Sequence, residues 1–70
     1  MTEYLVIYEK GDDGGWGASS PDIPGCVAAG STRAEVERLI SEAIPSHIEL
    51  MRECGQPAPE PRHAAGTIAA

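Results

Sequence analysis

The sequence predicts a small α/β domain of the α+β kind, an antiparallel β-β-β-α-β unit in which one helix packs on a three- to four-stranded sheet. Three observations predict it. The chain opens on a run of β-branched and aromatic residues, Tyr4-Leu5-Val6-Ile7-Tyr8. Two turn signals, Pro21-Asp22 and Pro24-Gly25, then stand close together. From Thr32 onward, apolar residues recur at three- and four-residue spacing for about twenty residues, the period of an amphipathic helix.

Residues 3–9 read as the first strand, because β-branched and aromatic side chains suit a pleated, half-buried surface. Alternation sends Tyr4, Val6 and Tyr8 to one face and Leu5, Ile7 and Glu9 to the other. Lys10 to Gly15 is rich in Gly and Asp and reads as a hairpin loop. Residues 16–20 form the second strand, with Trp16 and Ala18 sharing a face, and residues 26–29 the third. Ile23 stands alone as an apolar residue between the two turn signals.

The helix is expected over residues 32–53. Ser31 or Thr32 can cap it, and Thr32 followed three residues later by Glu35 fits a capping box. Its buried stripe reads Val36, Leu39, Ile40, Ala43, His47, Ile48 and Met51. Arg33 with Glu37 and Arg38 with Glu42 are pairs at four-residue spacing on the outer face. Pro45 interrupts the pattern, since it has no N–H and its ring clashes with the carbonyl four residues back. The stripe keeps its phase across it, which predicts a kinked helix rather than two. Gly55 is the stop signal. Residues 56–62, with prolines at 57, 59 and 61, read as a stiff extended connector. Residues 63–69 are a candidate edge strand beside the first hairpin.

A chain of 70 residues makes one domain with a modest core, and this one contains no Phe. A sheet edge left open on so small a body invites pairing with a second copy. The net charge of −6 disfavours nucleic acid and lipid headgroups and favours a basic partner. The excess is concentrated in the first thirty residues, where Glu3, Glu9, Asp12, Asp13 and Asp22 face a single Lys10. Glu9, Asp12, Asp13 and Asp22, with Trp16 beside them, are therefore the candidate partner-binding residues. Cys26 and Cys54 read as small apolar residues rather than a disulfide, and the sequence shows no signal peptide and no membrane-length apolar run.

Little in the residues points to catalysis. His47 and His63 have no cysteine or carboxylate at metal-ligand spacing, so no metal or cofactor is expected. The glycines of the first loop lack the Lys-Ser/Thr ending of a phosphate loop and lie among acids. A pair of carboxylates, Glu9 and Asp22, is the one enzymatic alternative, a vestigial nuclease-like site.

The Tyr-Leu-Val-Ile-Tyr strand, the Trp16-Gly17-Ala18-Ser19-Ser20-Pro21-Asp22-Ile23-Pro24-Gly25-Cys26 run and the helix ending Arg52-Glu53-Cys54-Gly55 together resemble the HicB family of antitoxins over nearly the whole chain. The resemblance implies a partial RNase H-like domain with a final strand after the helix. It makes Pro21, Asp22, Pro24, Gly25, Gly30, Thr32 and Glu35 a structural signature, with no catalytic role. It implies a protein that binds and occludes a small basic HicA-type ribonuclease toxin; the chain itself is expected in the cytoplasm and, because of its open sheet edge, as a homodimer or higher oligomer. Many relatives carry a further DNA-binding domain. Residues 1–70 contain none, so repression by this chain alone is not expected. The alternative to a toxin-binding antitoxin is a stand-alone oligomer of the same fold.

Overall fold

The computed structural model describes residues 2–70. Three short strands, β1 (Ile7–Lys10), β2 (Trp16–Ser19) and β3 (Val27–Gly30), are followed by one helix, α1 (Arg33–Glu53). The strands form an antiparallel meander in the order β1-β2-β3. Ile7 pairs with Ser19, which pairs with Val27; Glu9 pairs with Gly17, which pairs with Ala29. Alternation sends those six residues to one face of the sheet. Tyr8, Ala18 and Ala28 form the matching row on the other.

The helix covers that second face and contacts β2 and β3. The core is small: Ala18, Ile23, Cys26, Val36 and Ile40 are buried, and Tyr4, Val6, Tyr8, Trp16, Ala28, Ala43, Ile44 and Ile48 pack around them. Ile23 owes its burial to its neighbours. Ile23 N–H donates to Ser20 O at 3.2 Å and Cys26 N–H to Ile23 O at 3.3 Å, which closes two successive β-turns. Pro21 and Pro24 each take the second position of a turn, where a fixed φ suits them. Gly25 takes the third position of the second turn with φ +83°, a conformation costly for any other residue. The two reversals drive Ile23 inward to 1% exposure.

The first strand is shorter than residues 3–9. Strand length is set by the partner, and β2 ends at Ser19 because the Pro21 turn follows. Residues 3–6 thus run beyond any pairing, although Tyr4 and Val6 keep the inward face that alternation predicts. The third strand is shifted by one residue, since the Cys26 N–H is used in the turn.

The helix begins as its sequence dictates. Thr32 is the cap, and its Oγ1 accepts the Glu35 N–H at 3.1 Å. The return bond is displaced by one residue: the Glu35 carboxylate accepts the Ser31 N–H at 3.3 Å, not that of Thr32. That carboxylate lies over Gly30, where a Cβ would collide with it. The helix continues through Pro45 without a break. Burial is complete at Val36 and Ile40, but Ala43, Ile44, His47, Ile48 and Met51 are only half-buried and Leu50 is 57% exposed. At the far end Gln56 N–H donates to Met51 O at 2.8 Å and Gly55 N–H to Arg52 O at 3.0 Å, with Gly55 at φ +77°. This is a Schellman motif, satisfying two carbonyls that the helix leaves over. Both expected outer pairs form, Arg33–Glu37 at 2.9 Å and Arg38–Glu42 at 3.9 Å, and the Arg33 guanidinium also lies 5.0 Å from the Tyr8 ring centroid. No described helix is long and apolar enough to cross a membrane.

The candidate strand at 63–69 does not join the sheet: residues 56–70 carry no secondary structure. The connector is instead held at three points at the end of the body. Tyr4 Oη donates to Pro59 O at 2.6 Å, Arg62 N–H donates to Asp22 Oδ1 at 3.0 Å, and His63 Nδ1 lies 2.7 Å from the same oxygen. Those contacts tie the connector to Tyr4, ahead of β1, and to the Asp22 turn rather than to the β1 edge. The Ala- and Gly-rich tail has little strand propensity to oppose them.

Candidate partner-binding face

The helix covers only one side of the sheet. The other side is a shallow open surface whose floor is Gly17, Ser19 and Ala29, with Ile7 and Val27 exposed at 41% and 69%. Small residues at Gly17 and Ala29 leave the backbone close to the surface. Glu9 stands in the same row as these two, exposed to solvent.

The β1–β2 loop forms one end of this surface. Gly11 N–H donates to Gly15 O at 2.7 Å and Gly14 N–H to Gly11 O at 3.0 Å, and Gly14 adopts φ +87°. Asp13 Oδ1 accepts the Gly15 N–H at 2.9 Å, a side chain closing its own turn. Asp12 and Asp13 are both exposed. Glu9, Asp12 and Asp13 are therefore brought together at one end of the sheet.

The other two candidates are placed differently. Trp16 shares the helix-facing side with Ala18 and is half-buried against the core. Asp22 lies beyond the opposite end of β2 and is turned inward, its side chain only 3% exposed. Burial pushes its carboxyl up, but the His63 hydrogen bond, the Arg62 N–H and the His63 charge outweigh it and hold the carboxyl below its ordinary value. Its second oxygen, Oδ2, and the Ser20 hydroxyl are buried without a protein partner. Asp22 thus anchors the connector instead of facing a partner. Glu9 and Asp22 stand at opposite ends of the sheet and share no site. Among the described residues no three of His, Cys, Asp and Glu gather as a metal site. Both cysteines are free, Cys26 buried with its thiol pushed up by desolvation and Cys54 exposed.

The sequence reading missed the part played by His63 and Arg62. They meet Asp22 across 41 and 40 residues, and no local pattern marks such a contact.

Residues 4–70 match the family model described as the HicB-like antitoxin of bacterial toxin–antitoxin systems. The chain belongs to the HicB-like antitoxin family. Antitoxins act by binding rather than by catalysis, and the family places this chain among them. The chain is also similar to three curated proteins over 57 residues, 81% of its length in each case. One is an uncharacterized 14.9 kDa protein from the rep-hol intergenic region of Haemophilus phage HP1, 42% identical, of which the match covers 42%. The others are UPF0150 proteins of Thermoplasma acidophilum, 35% identical with 83% covered, and of Synechocystis sp., 40% identical with 72% covered. The antitoxin chain thus spans less than half of the phage relative and most of the other two.

Proposed function

We propose that this antitoxin neutralises a small basic HicA-type ribonuclease toxin in the cytoplasm by covering its active site with the open sheet face and the β1–β2 loop. The observation that supports it most directly is the grouping of Glu9, Asp12 and Asp13 at one end of a sheet face that no other part of the described chain covers. Small residues on the floor let a partner approach closely, Ile7 offers apolar contact, and the acids supply the field. Complementary potentials of this kind speed encounter and discourage wrong partners. Asp22 takes no direct part, because the connector already occupies it. Trp16 acts from below, as packing for the loop that carries the acids.

The test is to purify the chain with a small basic HicA-type toxin from the same host and to measure affinity and residual ribonuclease activity. A stoichiometric inhibitory complex that weakens with salt is expected. Glu9→Lys should weaken it by about tenfold, equivalent to roughly 1.4 kcal/mol for one charge reversed at an interface. A complex indifferent to both salt and Glu9→Lys would refute this face. The absence of any complex would refute the toxin reading.

A further inference from the structure

A second surface has a different chemistry. Beside the outer edge of β3, two adjoining hollows run between the Pro24–Val27 segment and the C-terminal half of α1. Pro24, Val27, Ala43, His47, Leu50 and Met51 line them, and neither is lined by Asp, Glu, Lys or Arg. On a chain with a net charge of −6 this is an uncharged groove, and Val27 and Leu50 are two of its most exposed large apolar residues. A basic partner finds no counter-charge there. The β3 backbone beside it has no neighbour on its outer side among the described residues, since the sheet ends at that strand.

The chain carries a segment of matching character. Residues 64–70, Ala-Ala-Gly-Thr-Ile-Ala-Ala, contain no charge, have no secondary structure and are exposed throughout, with Ile68 at 94%. They project from the body. The radius of gyration is 13.3 Å, against about 11 Å expected for a compact domain of this length. The His63 and Arg62 contacts to Asp22 fix the root of this arm, and none of residues 64–70 lines the groove of its own chain.

We propose that the arm of one copy docks in the β3–α1 groove of a second, so that two copies exchange arms in a symmetric dimer. Residues 67–69 lie along the outer edge of β3 and extend its sheet by backbone hydrogen bonds, and Ile68 seats against Val27 and Leu50. Extended segments add to open sheet edges in this way, and two-fold exchange makes each contact twice. The dimer buries the groove and leaves Glu9, Asp12 and Asp13 on the surface.

Sedimentation of the full chain across a concentration series tests this, in reducing buffer because Cys54 is exposed. A reversible dimer is expected. Ile68→Glu and Leu50→Glu should each weaken it by about tenfold or more, since each places a charge against an apolar contact made twice. Both positions are exposed in the single chain, so circular dichroism should show each variant folded. Nuclear Overhauser contacts between Ile68 of a labelled copy and Leu50 of an unlabelled one should appear in mixed samples. A single-chain mass at every concentration, a dimer unaffected by Ile68→Glu, or Ile68–Leu50 contacts confined to one chain would each overturn the proposal.

Discussion

His63 Nδ1 lies 2.7 Å from Asp22 Oδ1, and this contact joins a half-exposed imidazole to a carboxylate that is almost wholly buried. The pair ties the connector to the turn that positions Ile23. Because the fold lowers the Asp22 pKa, the native state binds the Asp22 proton less readily than the unfolded chain does. Its stabilising effect is full above the unfolded carboxylate value of about 3.9. It is lost as pH falls below that value and through the lowered native one. Acid titration followed by amide exchange should show the Arg62 amide protected at neutral pH and mildly acidic pH, and released only in that strongly acidic range. In Asp22→Asn the protection should no longer follow that titration.

Pro45 is exposed and sits inside α1, so the Ser41 carbonyl lacks its intrahelical donor. Pro45→Ala restores an N–H and removes a ring clash, a gain of up to about 3 kcal/mol. The melting temperature should rise, by about 4–8 °C for each kcal/mol recovered in a domain of this size. Calorimetry reads this directly, and a fall on substitution would mean that the proline geometry is required.

Gly30 and Glu35 are coupled through space. Gly30→Ala pushes the Glu35 carboxylate away from the Ser31 N–H, which should cost about 1 kcal/mol, the scale of a net hydrogen bond. In a Glu35→Ala background the same change meets no carboxylate and should cost less. Urea unfolding of the four chains of this double-mutant cycle measures the difference.

Ile23 and Ile7 make a contrasting pair, one 1% and the other 41% exposed. Ile23→Ala should cost about 2–5 kcal/mol through lost burial and a cavity. Ile7→Ala should fall within about 1 kcal/mol of the parent, being a partly exposed site. Thermal melts of the two variants check both statements, and the Ile7 variant should also retain the parent's circular dichroism spectrum.

What the sequence made legible was local. The Thr32 cap, the Pro24-Gly25 turn, the Gly55 stop and the Arg33–Glu37 pair each depend on residues within about one helical turn of one another, the range over which capping and turn chemistry acts. Strand propensity extends back to Glu3, whereas the pairing of β1 is limited by where β2 stops, so the strand is shorter than its composition predicts. The strand predicted at 63–69 does not form, and the connector before it is tied to Asp22 instead. Of the candidate site, Glu9, Asp12 and Asp13 converge as their common hairpin requires. Asp22 looked like another surface acid because its partner lies 41 residues away.

The same separation orders events during synthesis. The meander and helix close through neighbours in the chain, and such local topologies form quickly. Everything they require has been made once Gln56 emerges, because the Schellman bond to Met51 is the last that the helix needs. Tyr4 and Asp22 wait for Pro59, Arg62 and His63, which are translated afterwards. The body can therefore close without its strap, whose three contacts add only to a surface that the meander and helix make by themselves.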